Sequence, residues 1–141
     1  MRFETAVDIA ADPLRIWKAW TEVETWPEWT ASVSWVERLD DTEFGVGSRA
    51  RLKQPGLRAL VWTVSESEPG RSFVWRTRTS GIDLIAGHYL EDGPDLRVHA
   101  RLTFEQSGLL AVPVGIFVSG TIRKFMQMEA DGIKKRCEQD A

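Results

Sequence analysis

Two different residue periods meet in the stretch LRVHARLTFEQSG (residues 96–108) and LLAVPVGIFVSGTIRKFMQMEADGIKKRCE (residues 109–138). The first part alternates apolar and polar residues, which predicts a strand with one buried face. Its inward residues are Leu96, Val98, Ala100, Leu102 and Phe104. After Gly108 the apolar spacing becomes about 3.6 residues, which predicts a long amphipathic helix. The predicted apolar stripe of this helix contains Val114, Phe117, Val118, Thr121, Phe125 and Met128.

The segments upstream of this stretch supply the rest of one sheet. Residues 2–9 alternate like a half-buried strand, and Asp12-Pro13 then provides an N-cap and a first helical residue. A second helical turn is predicted at residues 26–29. From Ser32 onward period two returns between turn signals and fits six further strands. The order predicts an α+β fold, a seven-stranded curved antiparallel sheet around a long C-terminal helix, with two short helices after the first strand.

Length and composition restrict the classes of function. The chain has 141 residues, 43% of them hydrophobic, and a net charge of -3, which fits one domain over residues 1–141 and disfavours nucleic acid as a partner. One cysteine and two histidines predict neither a disulfide framework nor a structural zinc site, and no cofactor is expected. Residues 1–12 lack a signal-peptide pattern, and the apolar residues 109–122 are too few to cross a bilayer. We therefore expect a cytoplasmic protein with no integral membrane segment.

The order of elements and four segments carry a family resemblance. The segments are Asp12-Pro13, TWPEW at residues 25–29, EPGRSFVW at residues 68–75 and the helix over residues 114–136. Together they resemble the polyketide cyclase/dehydrase-like branch of the START-like (SRPBCC) superfamily over essentially the whole chain. The resemblance implies a helix-grip fold around a deep hydrophobic pocket. It also implies lipid or polyketide binding, cyclase and aromatase chemistry, or contacts with protein partners.

Inward polar residues are the first candidates for a site in that pocket. His88 shares the inward phase of the sixth strand with Ile82, Leu84, Ala86 and Leu90, and a partly desolvated imidazole can orient or deprotonate a ligand group. A core histidine that is hydrogen-bonded to a neighbour fits the same pattern. Hydroxyls on an apolar wall can also orient a ligand. The inward threonines are Thr5, Thr77, Thr79 and Thr121.

Aromatic residues are the second group of candidates, because a flat ring can line a pocket and stack on a planar ligand. Trp35, Trp62 and Trp75 are predicted to face inward from the sheet, and Phe104, Phe117 and Phe125 are predicted to enclose the same ligand. The helical end is expected to form the pocket mouth with Trp17, Trp26 and Trp29. Simple core filling is the alternative for each indole.

Four further features have alternatives of their own. Glu37 is either a buried proton carrier or a solvated residue at a strand end. Tyr89 falls in the outward phase, and Cys137 near the end of the helix is expected to be incidental. Outward positions of the sheet form a basic surface, which either docks an acidic partner or is a solvated face of mixed charge. Its members are Arg49, Arg51, Lys53, Arg76, Arg78, Arg97 and Arg101.

Three hypotheses for function follow from these residues. In the first, the protein binds a hydrophobic or aromatic small molecule, lipid-like or polyketide-like, between the sheet and the C-terminal helix. In the second, it is a cyclase or dehydratase, a lyase or isomerase without a cofactor, in which His88 is the catalytic general acid or base. In the third, it is an interaction module that uses the basic outer face. A homodimer or a protein partner stays open, and no metal-binding residues are predicted.

Overall fold

The computed structural model describes residues 1–108 and 111–139, and the side chains of residues 1–108 and 119–139. Three helical elements and seven strands follow the predicted order, with one short turn of helix before the last strand. The strands are β1 Arg2–Ile9, β2 Trp35–Arg38, β3 Arg49–Lys53, β4 Leu60–Glu68, β5 Ser72–Thr79, β6 Ile82–Asp92 and β7 Val98–Ser107. The helices are α1 Pro13–Thr21, the 3-10 helices η1 Val23–Glu28 and η2 Pro94–Leu96, and α2 Ala111–Glu138.

The sheet is antiparallel throughout, with the strand order β1-β7-β6-β5-β4-β3-β2. Helix α2 packs on β1 and β7 near one edge, whereas η1 packs on β2 at the other edge. The helices therefore cover the inward face from both edges, and one core lies between the two layers. The predicted seven-stranded sheet and its C-terminal helix are confirmed.

The first helix begins where the sequence predicts. Asp12 has an extended backbone, and its Oδ1 accepts a hydrogen bond of 2.8 Å from the Leu14 backbone N–H. Pro13 follows as the first helical residue, where its fixed φ suits the helix and its missing N–H costs nothing. Ile16 and Trp20, four residues apart, are the buried face of α1.

The predicted stripe of α2 is displaced by about one residue. The buried residues are Met126, Ala130, Ile133 and Cys137, whereas Thr121 is exposed. Phe125 and Met128 are half-buried, and the side chains of Val114, Phe117 and Val118 lie outside the described residues. The physical reason is that the predicted stripe, continued by one turn, runs into Gly132 and Lys135, whereas the observed stripe continues through Ile133 and Cys137.

Two strand positions also differ from prediction. Trp35 faces outward and is 42% exposed, because β2 begins only at Trp35 and the turn before it breaks the alternation counted from Val33. Val36 is the inward residue, opposite Leu52. Leu96 is fully exposed in η2 with a φ of 64°, so β7 begins at Val98. In the described part of the chain, no helix combines the length and the apolar character needed to cross a membrane.

Candidate functional site

His88 lies at the centre of an aromatic cluster on the inward face of the sheet. It is 3% exposed and stands between Phe73 on β5 and Leu102 on β7 in the strand register. Its imidazole stacks on the Phe73 ring with a centroid distance of 4.1 Å and an angle of 7°. The rings of Trp20 and Trp26 approach it at 5.3 and 5.6 Å. The predicted inward position of His88 therefore agrees with the structure.

A carboxylate from α2 contacts this histidine. The distance between His88 Nε2 and Glu129 Oε1 is 3.1 Å, and the Glu129 side chain is 18% exposed. This partner is not predictable from the sequence alone, because 41 residues separate the two and the spacing predicts the helical stripe in the wrong phase. In the observed phase, Glu129 lies three residues after Met126 and four before Ile133, which places it beside the buried face.

This contact decides which nitrogen of His88 is available for chemistry. An ionised carboxylate can only accept a hydrogen bond, so a neutral imidazole in this contact donates from Nε2 and keeps its lone pair on Nδ1. Nδ1 is buried and has no hydrogen-bond partner among the residues described. The arrangement can accept a proton at Nδ1, and Glu129 would then stabilise the imidazolium that forms.

A glycine allows α2 to bring Glu129 to this position. A methyl group at Gly132 would collide with the backbone carbonyl oxygen of Trp29, and it would lie 3.2 Å from Cε3 of the Trp29 ring. Only a residue without Cβ permits this approach of α2 to the end of η1. Helix η1 is also joined to α1, because the Trp26 indole donates a hydrogen bond of 3.0 Å to the Trp20 carbonyl oxygen.

The predicted aromatic residues divide between a packed end and a rim. Trp62 and Trp75 are buried inward, as predicted, and their rings lie 5.7 Å apart. Trp26 was predicted at a pocket mouth, but it is buried 5.3 Å from the Trp75 ring, because η1 is drawn into the core. Trp17 and Trp29 are half-buried at the helical end. The end of the interior around His88 is therefore packed with rings.

The other end of the inward face is less covered. Leu84, Ala86 and Phe104 occupy inward positions of β6 and β7 but are only half-buried. One inward row crosses three strands and consists of Thr77 on β5, Leu84 on β6 and Gln106 on β7. Gln106 is buried, and its Oε1 has no partner in the described part of the molecule. It is not among the predicted site residues, although it lies two residues after Phe104 and so continues the inward phase of β7.

A cleft and a smaller cavity lie among the described residues. A cleft of about 640 Å³, called the β4–β5 cleft here, is bounded on both sides by those strands and includes Thr77 among its lining residues. A cavity of about 170 Å³ lies between β1 and α2, against Phe3, Thr5 and Met126. Exposed Thr121 contributes to neither, and no three His, Cys, Asp or Glu side chains of the described ranges gather as a metal site.

The comparisons with known proteins agree with this geometry. The model of the family described as polyketide cyclase / dehydrase and lipid transport matches residues 1–138.

The chain belongs to this polyketide cyclase / dehydrase and lipid transport family.

The resemblance inferred from the sequence is thereby confirmed, although a search of curated proteins gave no match.

Solved structures share the fold of this polyketide cyclase / dehydrase family member. The ZhuI aromatase/cyclase from Streptomyces sp. R1128 has a TM-score of 0.79 at 14% identity, covering 99% of this chain and 94% of its own. A hypothetical protein from Helicobacter pylori has a TM-score of 0.79 at 17% identity, covering 96% and 86%. A START superfamily protein from Mycobacterium smegmatis has a TM-score of 0.75 at 13% identity, covering 96% and 97%. At these identities the likeness shows the fold alone.

The outer face of this family member carries paired charges. Arg51 lies 3.4 Å from Glu37, which is exposed, so the solvated interpretation of Glu37 holds. Arg101 contacts Glu91 at 3.0 Å and lies over the ring of Tyr89, which faces outward as predicted. Cys137 is buried, and burial raises the pKa of its thiol, which makes it a poor nucleophile.

Proposed function

We propose that the protein binds an apolar small molecule of the lipid or polyketide class against the less covered end of the inward face. One observation carries the proposal. Leu84, Ala86 and Phe104 lie on central strands of the sheet and point toward the helix layer, yet they are only half-buried. Inward apolar residues at the centre of a sheet are normally covered, so this surface is suited to an apolar ligand.

Two unpaired polar atoms on the inward face fit the same function, one in the row of Leu84 and one at the packed end. Gln106 Oε1 and His88 Nδ1 are buried without a hydrogen-bond partner among the described residues. A buried acceptor left unpaired is costly, and a ligand hydroxyl would satisfy it. A planar ligand that removes roughly 200 Å² of apolar surface from water gains about 5 kcal/mol before the costs of association. That gain alone corresponds to a Kd of about 0.2 mM, so micromolar affinity requires a ligand that buries more apolar surface.

A nonpolar dye and one blocking substitution test this proposal. N-phenyl-1-naphthylamine should become fluorescent with the protein and be displaced by lipids. Ala86→Phe fills the space over the inward face and should weaken dye binding by at least about tenfold. Ala6→Phe, on an exposed outward position of β1, is the matched control and should leave binding unchanged. A protein that binds no apolar probe, or an Ala86→Phe variant that binds like the wild type, would refute the proposal.

The contact between His88 and Glu129 favours a second candidate, an acid–base enzyme of the cyclase or dehydratase type. In this role His88 Nδ1 takes a proton from a carbon next to a ketone, and the Glu129 carboxylate 3.1 Å from Nε2 stabilises the imidazolium. The family, and the likeness to the ZhuI aromatase/cyclase, support this candidate. It needs the ketone to reach Nδ1 between the surrounding rings.

The two histidines of the chain provide a controlled test of that candidate. 2-Acetylanthracene, a methyl ketone with three fused rings, should exchange its methyl protons in D2O faster with the protein than without it, as followed by NMR. His88→Phe, which keeps a ring against Phe73, should abolish the acceleration, and Glu129→Gln should reduce it. His99→Ala removes the other imidazole, which lies 2.8 Å from Asp8 on the outward side, and should have no effect. Exchange at the background rate in the wild type would eliminate the enzyme candidate.

A further inference from the structure

The sheet divides between β4 and β5. The registered pairs of these strands run from Glu68 opposite Ser72 to Thr63 opposite Arg76. Beyond that point, residues 60–62 pair with β3 and residues 77–79 pair with β6, but the two segments do not pair with each other. Backbone groups that face this gap therefore lack the ladder partners that a continuous sheet would give them. The β4–β5 cleft occupies this gap.

The lining of the cleft is basic although the protein as a whole is acidic. Three arginines, Arg58, Arg76 and Arg78, line it together with one acid, Asp83. Arg78 lies 3.8 Å from Asp83 with both side chains well exposed, which makes a weak pair. Arg58 and Arg76 have no carboxylate partner among the described residues. A positive cleft on a protein of net charge -3 attracts anions locally.

Hydroxyl groups complete the polar part of the lining. They belong to Thr63, Thr77, Thr79 and Ser80. Guanidinium groups bind carboxylate or phosphate through paired hydrogen bonds, and hydroxyls can donate to the remaining oxygens. The combination is typical of a site for an anionic group of a small molecule, and a volume of about 640 Å³ can also hold the adjoining part of the molecule.

Arg76 and Arg78 line the cleft from outward positions of β5, so a ligand held by them reaches the inward apolar surface through the gap between β4 and β5. Leu60 and Thr77 line the cleft from inward positions, and Thr77 is the register partner of Leu84 on β6. We infer that the β4–β5 cleft binds the anionic head group, carboxylate or phosphate, of an amphiphilic ligand whose apolar part lies on Leu84 and its neighbours. This inference rests on the proposed binding function and specifies the ligand class, an acyl or aromatic chain that ends in an anion.

Matched amphiphiles and matched charge variants test the inference. Dodecanoate, dodecyl phosphate and dodecan-1-ol are compared as competitors of N-phenyl-1-naphthylamine, and sodium acetate and inorganic phosphate serve as anions without a chain. Arg76→Gln combined with Arg78→Gln removes two cleft charges. Arg2→Gln combined with Arg71→Gln removes two exposed charges that do not line the cleft and is the control. All four positions are exposed, so both variants should fold, which circular dichroism checks.

The inference predicts that the cleft variant loses about tenfold in affinity for dodecanoate and dodecyl phosphate and nothing for dodecan-1-ol. Raising the salt from about 0.05 to about 0.5 M should weaken the two anions only. Acetate and inorganic phosphate should displace no dye.

Equal affinity of the cleft variant and the control variant for dodecanoate would overturn the inference and leave the proposed function intact. Binding of inorganic phosphate as tight as that of dodecyl phosphate, followed by NMR shifts of residues 76–80, would show an anion site unrelated to an amphiphile and would also overturn it. Failure of the wild type to bind the dye and all three amphiphiles would refute the proposed function, and this inference with it.

Discussion

Gly132→Ala should destabilise the protein although the position lies inside a long helix. Replacing glycine by alanine within a helix normally stabilises by about 1 kcal/mol. Here the new methyl group would collide with the Trp29 carbonyl oxygen and lie 3.1 Å from the Trp29 carbonyl carbon. Overpacking costs about 1 to 3 kcal/mol, and the upper end applies because a backbone carbonyl cannot rotate away. The expected net loss in the free energy of unfolding is about 2 kcal/mol.

The same helix provides the control for this prediction. A methyl group at Gly120 would meet no described atom within 4 Å apart from its own helical backbone, so Gly120→Ala should gain the full helical contribution of about 1 kcal/mol. Urea unfolding followed by tryptophan fluorescence measures both variants against the wild type. The test is that the two substitutions change the free energy of unfolding in opposite directions. If Gly132→Ala is as stable as Gly120→Ala, then α2 does not approach η1 as closely as described, and the account of how Glu129 reaches His88 is wrong.

Three further predictions concern single contacts outside this interface. Asp12→Ala removes the acceptor for the Leu14 N–H and should cost about 1 kcal/mol in urea unfolding; an unchanged midpoint would contradict the N-cap. The Arg49 backbone N–H and, second, the Arg38 side chain donate hydrogen bonds to the Asp40 carboxylate and hold its pKa below the ordinary value of 3.8. The stability that the ionised carboxylate adds to the folded protein is therefore complete above that pH and is lost as the pH falls below it. The stability difference between wild type and Asp40→Asn should therefore be largest near neutral pH and shrink below about pH 4; a difference that grows in acid would contradict the sign. Burial raises the pKa of the Cys137 thiol, so iodoacetamide should modify the folded protein far more slowly than the urea-unfolded chain, and equal rates would contradict that burial.

The sheet and its faces could be predicted from the sequence because each strand carries its own pattern. Alternation in residues 98–104 and 82–90 places His88, Leu90 and Leu102 inward without any knowledge of neighbouring strands. The prediction is wrong where a strand is short. Strand β2 has four residues, and alternation counted from Val33 placed Trp35 on the wrong face because a turn intervenes. The prediction for Leu96 is wrong because this residue belongs to η2, and β7 begins only at Val98.

The sequence predicts helix α2 but assigns the wrong residues to its buried face, and this error hides Glu129 as a site residue. Residues 121–128 contain apolar side chains on more than one face, so spacing alone cannot select the buried one. The observed phase depends on the close approach at Gly132, a tertiary contact that no local pattern reveals. With the phase wrong, Glu129 could not be recognised as the partner of His88. The gap between β4 and β5 is likewise a property of strand register and not of composition.

The two ends of the inward face lead to one prediction about ligand length. Leu84 and His88 lie four residues apart on β6, which is roughly 13 Å along a strand, with Ala86 between them. A two-ring ligand on Leu84 and Ala86 stops short of the imidazole, whereas a ligand with three or four fused rings reaches it. His88→Phe should therefore lower the affinity for a tetracyclic ligand by about tenfold and leave the affinity for a naphthalene derivative unchanged. His99→Ala is the control, and fluorescence titration measures all three proteins. An equal loss for both ligands would mean that His88 acts through the packing of Phe73 and the indoles, and that its Nδ1 does not face the ligand.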